Sequence, residues 1–167
     1  MSVETPASVP EATEAPFTAS ETLTAALQQI LVDQVELHLQ AKQAHWNLVG
    51  PGFREIHLQL DEITDAAREA ADTIAERLRA LAGVADGRSA TVAATTALSP
   101  YPEGEQSVAD TVAMVEVRIA QAGKTIRQLH DDVEEEDPSS SDLLHNILND
   151  AEKQAWMLRS AIRQPGR

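Results

Sequence analysis

The chain contains no cysteine, which removes disulfide frameworks, thiolate zinc sites, iron–sulfur clusters and cysteine nucleophiles together. Any bound metal must therefore sit on histidines and carboxylates. Aromatic residues make up only 3% of the chain, whereas Ala, Leu, Glu, Gln and Arg recur throughout. These residues lose least on entering a helix, so helices are favoured over a β-sandwich. Positive charge is also scarce, with 13 Lys plus Arg against 27 Asp plus Glu and a formal charge of -14. Long-range forces then repel nucleic acid and anionic membranes and attract cations. No apolar run approaches the roughly 18 residues of a membrane helix, and no basic start is followed by an apolar stretch. The expectation is a cytoplasmic protein with no membrane contact.

What is present suits one folded unit. The chain has 167 residues, 43% of them hydrophobic and 24% charged, which fits a single domain with a sizeable core. Residues 1–16 combine Pro6, Pro10 and Pro16 with Glu, Ser, Thr and Ala. Such a segment buries too little surface to offset its ordering entropy and reads as a flexible tail. The folded unit then covers residues 17–163, and 164–167 form a short C-terminal tail. Thr18-Ala-Ser-Glu21 has the form of a capping box, with Phe17 placed to staple onto the first turn. A first helix is expected over about 19–48, with Leu23, Leu27, Ile30, Leu31, Val35, Leu39 and Ala44 forming one buried stripe.

Gly50-Pro51-Gly52 ends that helix and starts a second, which runs to about Ala82 with Gly83 as its stop. Residues 84–106 carry Gly87, Pro100, Pro102 and Gly104, leaving room for a short helix over 91–98. A third helix spans about 107–135, and Asp137-Pro138 opens a fourth that reaches about Arg163. Four long helices with one long crossover, carrying a short helix, between the second and third predict an all-α, ferritin-like four-helix bundle. No internal repeat is present.

Five histidines stand at positions 38, 45, 57, 130 and 145. His45 and His57 flank the first turn beside carboxylates, the ligand types that iron or zinc requires in the absence of thiolates. His57 and Asp61 lie four apart and share a helical face; Asp72 and Glu76 repeat the spacing farther along. At 1.5 Å per residue, His57 and Asp72 are separated by roughly 22 Å along one helix, so one ion cannot touch both pairs within a chain. Two copies meeting about a twofold axis with antiparallel second helices would bring His57 of one opposite Glu76 of the other. The alternative of a di-iron centre inside one bundle needs Glu-x-x-His on two helices. The fourth helix offers only Asp142-Leu-Leu-His145, and the second has no Glu-x-x-His. Carboxylates at such spacing also commonly face solvent, and single histidines commonly complete hydrogen bonds.

His45-Trp46-Asn47-Leu48-Val49-Gly50, followed by Phe53, His57, Asp61, Asp72 and Glu76, resembles the signature of the Dps family, the DNA-binding proteins from starved cells. Glu152-Lys153-Gln154-Ala155-Trp156-Met157-Leu158-Arg159 resembles the end of the family's fourth helix, and the likeness covers about residues 19–163. The resemblance implies a dodecameric shell of four-helix subunits with ferroxidase sites at the twofold interfaces. It assigns His45, His57, Asp61, Asp72 and Glu76 as iron ligands. It further implies that Fe(II) is oxidised, preferentially by hydrogen peroxide, and stored inside as Fe(III) mineral, protecting the cell from oxidative stress. Trp46 either packs the site or intercepts oxidising equivalents; a buried core role is the alternative.

The family's acidic threefold pores lie near the start of the fourth helix, where this chain reads Asp131-Asp132-Val133-Glu134-Glu135-Glu136-Asp137 and then Asp142. Asp142 is the leading pore residue, with Asp137 behind it; a solvated helix end is the plainer reading. Glu62 and Asp65 are candidate mineral-nucleating carboxylates. The first 41 residues hold six acids and no Lys or Arg, opposing the counterion release on which DNA binding depends. DNA binding is expected to be weak or absent, although Arg159, Arg163 and Arg167 form a sparse C-terminal ridge. A nucleoid-binding structural protein is the alternative function. A metal-assisted ester or amide hydrolase is a third.

Overall fold

The computed structural model describes residues 17–164 and Gly166, so the predicted N-terminal tail and Arg167 lie outside the described residues. The order is α1 (Glu21–Asn47), β1 (Leu48–Val49), α2 (Phe53–Ala80), α3 (Ser89–Thr95), β2 (Gln106–Ser107), α4 (Val108–Glu136) and α5 (Pro138–Ile162). This is the expected all-α four-helix bundle, and its crossover carries the short helix a little earlier than predicted. The two-residue strands were not legible in the sequence. β1 pairs with β2 in parallel, Leu48 opposite Gln106 and Val49 opposite Ser107, which fixes the start of α4 beside the α1–α2 turn. At the other end, Glu136 accepts hydrogen bonds from the Ser20 backbone N–H and hydroxyl. α2 and α4 therefore run in the same direction, and the crossover must travel back along the bundle.

Alternating apolar positions on the helices meet in two continuous core clusters. One, nearer the β pair, includes Leu37, Leu60, Ile63, Val112, Val115 and Leu158. The other, at the opposite end, includes Leu23, Leu27, Ile30, Ile74, Leu78, Ile126 and Leu144. Within the predicted α1 stripe, Leu23, Leu27, Ile30, Leu31 and Ala44 are buried, Val35 is partly buried, and Leu39 is exposed. Burial instead extends around α1 to Val32, Asp33 and Gln34, because the crossover covers the side a two-layer packing would leave open.

Asp33 is the polar centre of that cover. It is 1% exposed, and its carboxylate accepts from Ala97 N–H at 2.8 Å, Thr96 Oγ1 at 3.0 Å, Thr125 Oγ1 at 2.7 Å and Gln29 Nε2 at 3.2 Å. One buried carboxylate thus joins α1, the segment after α3, and α4, with its lone pairs used as burial requires. A second tie comes from buried Arg118, which donates to Gln40 Oε1, Met114 O and Pro100 O and lies over the Tyr101 ring.

Helix ends depart from the sequence reading in three places. Ser20, not Thr18, is the N-cap of α1, accepting from Leu23 N–H at 3.1 Å. Its reciprocal acid is Glu136, 116 residues away, rather than an acid of its own first turn, and Phe17 stays half exposed. At the end of α2, Gly83 N–H reaches Leu78 O at 2.8 Å and Ala82 N–H reaches Arg79 O at 3.2 Å. That pattern is a Schellman motif whose left-handed residue is Ala82, at φ 63°, one position before the glycine expected to stop the helix. Finally, Asp137 is 8% exposed and paired to Arg77 Nη2 at 2.6 Å, with Ser140 Oγ also donating to it. It locks the α4–α5 joint to α2.

Candidate metal centre

The turn between α1 and α2 brings His45 and His57 together. α1 unwinds into β1 at Leu48, and the chain reverses through Gly50 and Gly52 at φ 115° and 80°, conformations that side-chain-bearing residues rarely adopt. Phe53 N–H then donates to Gly50 O at 3.1 Å and Ile56 N–H to Gly52 O at 3.2 Å, starting α2. The last turn of α1 and the first of α2 consequently lie side by side.

The two imidazoles stack with centroids 3.7 Å apart and planes inclined by 21°. His45 Nδ1 lies 2.9 Å from His57 O, and His57 Nδ1 lies 3.0 Å from His45 O. A backbone carbonyl can only accept, so each Nδ1 carries a proton and donates, which in the neutral form of the ring leaves the lone pair on Nε2. Orienting hydrogen bonds of this type prepare histidine for a cation. His45 is buried while its partner is partly exposed, and Phe53 stacks on the outer side of His57 at 4.9 Å.

Asp61 joins this group one turn along α2, its Oδ1 3.3 Å from His45 Nδ1. The same oxygen pairs with Lys42 Nζ, a partner not anticipated from the sequence although Lys42 stands one turn before His45 on α1. The hydrogen bond from Lys42 is the leading cause holding the Asp61 carboxyl below its ordinary pKa; the charges of His45, Lys42 and His57 add to it, and burial opposes. The carboxylate is therefore ionised well below neutral pH.

Asp72 and Glu76 are exposed farther along α2 and make no contact with the histidine pair. Asp72 borders a groove of about 620 Å³ shared with His38, Asp65, Arg68 and Glu69. Burial, followed by the Arg68 charge, pushes the His38 imidazole below its ordinary pKa. Among the described residues, no three His, Asp or Glu side chains converge as a complete metal site. Within a single chain, His45 of α1 meets His57 and Asp61 of α2 at the first turn, and Asp72 and Glu76 stand apart from them farther along α2.

Other candidates are distributed as follows. Trp46 is 66% exposed, which rules out a core role within the subunit. Glu62, Asp65 and Asp142 are exposed. Leu39, Trp46, Val49, Phe53 and Leu58 are large apolar residues left in solvent around the histidine turn, more than isolated surface residues would explain. Arg159 of the proposed basic ridge pairs with Glu116 at 3.0 Å.

Residues 24–166 match the family model for a ferritin-like domain. The DNA protection during starvation protein of Agrobacterium fabrum is 33% identical over 150 residues, spanning 89% of this chain and 93% of that protein. Among solved structures, a Dps protein from Deinococcus radiodurans superposes with a TM-score of 0.83 at 31% identity, covering 87% of this chain and 88% of the other. Dps from Microbacterium arborescens, determined in a high-iron form, gives a TM-score of 0.79 at 32% identity, covering 89% and 99% of the respective chains.

Proposed function

As this chain belongs to the Dps family of ferritin-like proteins, we propose that it is a ferroxidase that oxidises Fe(II) and stores the product as mineral within a homododecameric shell. The reciprocal His45–His57 pairing carries this reading: two rings fixed in the tautomer that presents Nε2, beside an ionised Asp61. The solved high-iron state of the Microbacterium arborescens relative supports iron as the substrate.

The second donor set is supplied by a neighbouring subunit. His57 with Glu76, and Asp61 with Asp72, are both centred on the same point of α2, between Ala66 and Ala67. A twofold axis there would superpose both exchanges at once, giving two equivalent sites per pair of subunits. The exposed Trp46, Phe53 and Leu58 supply apolar surface for the contact, since isologous interfaces bury such patches.

At the assembled site, neutral imidazole holds Fe(II) and carboxylate oxygens favour the Fe(III) product. Two Fe(II) ions together deliver two electrons to one hydrogen peroxide, which leaves as water after taking up two protons, so no hydroxyl radical is released. Lys42 keeps Asp61 ionised and is displaced from it as iron enters. Exposed Asp142 lines the cation pore, and Glu62 and Asp65 receive the first mineral. Twelve acidic N-terminal segments disfavour DNA binding, and the protein acts in the cytoplasm.

Iron oxidation under limiting peroxide, measured together with particle size by light scattering, tests this reading. A dodecamer whose oxidation is lost in His45→Ala supports it. Unchanged oxidation in that variant would remove the histidine pair from the reaction.

A further inference from the structure

The remaining histidines form a second pair at the far end of the bundle. His130 lies 22 residues into α4 from Val108, roughly 33 Å along the helix from the β1–β2 contact, and it faces His145 on α5. Their Nε2 atoms are 2.8 Å apart, with ring centroids 4.7 Å apart and inclined by 38°. His130 Nδ1 lies 3.2 Å from Asp131 Oδ1, His145 Nδ1 lies 4.0 Å from Asp142 Oδ1, and Ser141 Oγ lies 3.0 Å from His130 Nε2.

The hydrogen bonding crowds two groups onto one nitrogen of this cluster. Asp131 can only accept, so His130 carries its proton on Nδ1 and presents one lone pair at Nε2. Two groups, the Ser141 hydroxyl and, in its Nε2–H tautomer, His145, lie within hydrogen-bond distance of that single lone pair. If the His145 proton moves to Nδ1, on the Asp142 side, both Nε2 lone pairs face one point. His130 is backed by Asp131 at hydrogen-bond distance, the outer-shell arrangement that orients histidine ligands, and Asp142, 4.0 Å from His145 Nδ1, would have to close by about 1 Å to back the second ring in the same way.

We infer that His130 and His145 form a second metal site, separate from the ferroxidase centre, which takes a borderline divalent cation of the Zn(II) or Co(II) class through both Nε2 atoms. With bonds of about 2.0–2.1 Å, tetrahedral geometry sets the two nitrogens roughly 3.3 Å apart. The present separation of 2.8 Å must therefore open by about half an ångström, and His145, 57% exposed at its side chain, is free to move. Ile126, Arg127, Leu144 and Leu148 wall the adjoining cavity of about 280 Å³; the Arg127 charge is paired with Glu152, and the cavity has room for a cation and its waters. No third protein ligand converges among the described residues, so water completes the coordination and the ion exchanges readily. Imidazole ligands favour Zn(II), Co(II), Ni(II) and Cu(II) over Mg(II) or Ca(II). The inference does not depend on iron oxidation at His45 and His57.

Zn(II) and Co(II) titration calorimetry on the full-length assembled protein tests it. In a His45→Gln/His57→Gln background, which removes the other histidine pair, one ion per subunit should still bind at the second pair. Adding His130→Gln and His145→Gln should abolish that event, and Asp131→Asn alone should weaken it about tenfold. Should the quadruple variant fail to assemble, exposed His145→Gln by itself should weaken binding at least as much as Asp131→Asn. Anomalous diffraction from a Zn(II)-soaked crystal should place the ion between the two Nε2 atoms. Unchanged stoichiometry and affinity in the His130 and His145 variants, or a soaked crystal with no ion between the rings, would overturn the inference.

Discussion

A shared site makes a quantitative forecast about mixed assemblies. A His57→Ala chain retains Asp72 and Glu76 but loses a histidine, whereas a Glu76→Ala chain retains both histidines but loses an acid. When one of each meets at the twofold axis, one of the two sites receives both lesions and the other receives none. Random co-assembly makes half of the pairs mixed, so about a quarter of wild-type sites are intact even though each variant alone has none. The assay is the initial rate of Fe(II) oxidation under limiting peroxide, normalised to assembled protein, for each homogeneous variant and for a co-expressed one-to-one mixture. The mixture should recover about a quarter of the wild-type rate. A mixture of His45→Ala with His57→Ala should recover nothing, because both lesions fall in the same donor set, 2.9 and 3.0 Å apart through their carbonyl contacts. A His57→Ala and Glu76→Ala mixture no faster than the mean of its components would refute the shared site. So would rescue in the His45 and His57 mixture.

Three further outcomes follow from the fold. Asp33→Ala leaves Ala97 N–H and the Thr96 and Thr125 hydroxyls without their common acceptor; at about 1–3 kcal/mol per lost charged or buried bond, partly offset by removing a buried charge, it should destabilise the protein by about 3–5 kcal/mol in urea melts at fixed protein concentration. A change below 1 kcal/mol would deny the carboxylate its anchoring role. Ala82→Gly relieves a left-handed residue at φ 63° and should raise stability by about 0.5–1 kcal/mol in the same melts. Burial acts to raise the Asp137 pKa, but hydrogen bonds from Ser140 and Arg77 and the Arg77 charge outweigh it, so the folded value lies below the ordinary 3.8. A depressed carboxylate contributes stability that is complete above about pH 5 and is lost as pH falls below about 4. Asp137→Asn should flatten the acid limb of a melting-temperature profile, and an unaltered limb would remove this pair from acid sensitivity.

The sequence by itself determined the helices, because each is a local pattern: apolar spacing, a proline at the first position of α5, glycines at the first turn. It also determined that His57 and Asp61 share a face while Asp72 lies too far along a rigid helix to join them, since that follows from helical rise alone. Tertiary structure decided which polar groups are spoken for. Glu136 and Asp137 belong to the same acidic run as Asp131, yet one caps α1 through Ser20, one is locked to Arg77, and one orients His130. Lys42 meets Asp61 only because the turn sets the two helices side by side, and Asp33 is satisfied only because the crossover delivers its donors. Each of these partners is distant in sequence, and a buried polar atom is stable only with the neighbour that packing brings to it. Local pattern fixes the direction of a side chain on its helix; only the folded chain fixes what it meets there.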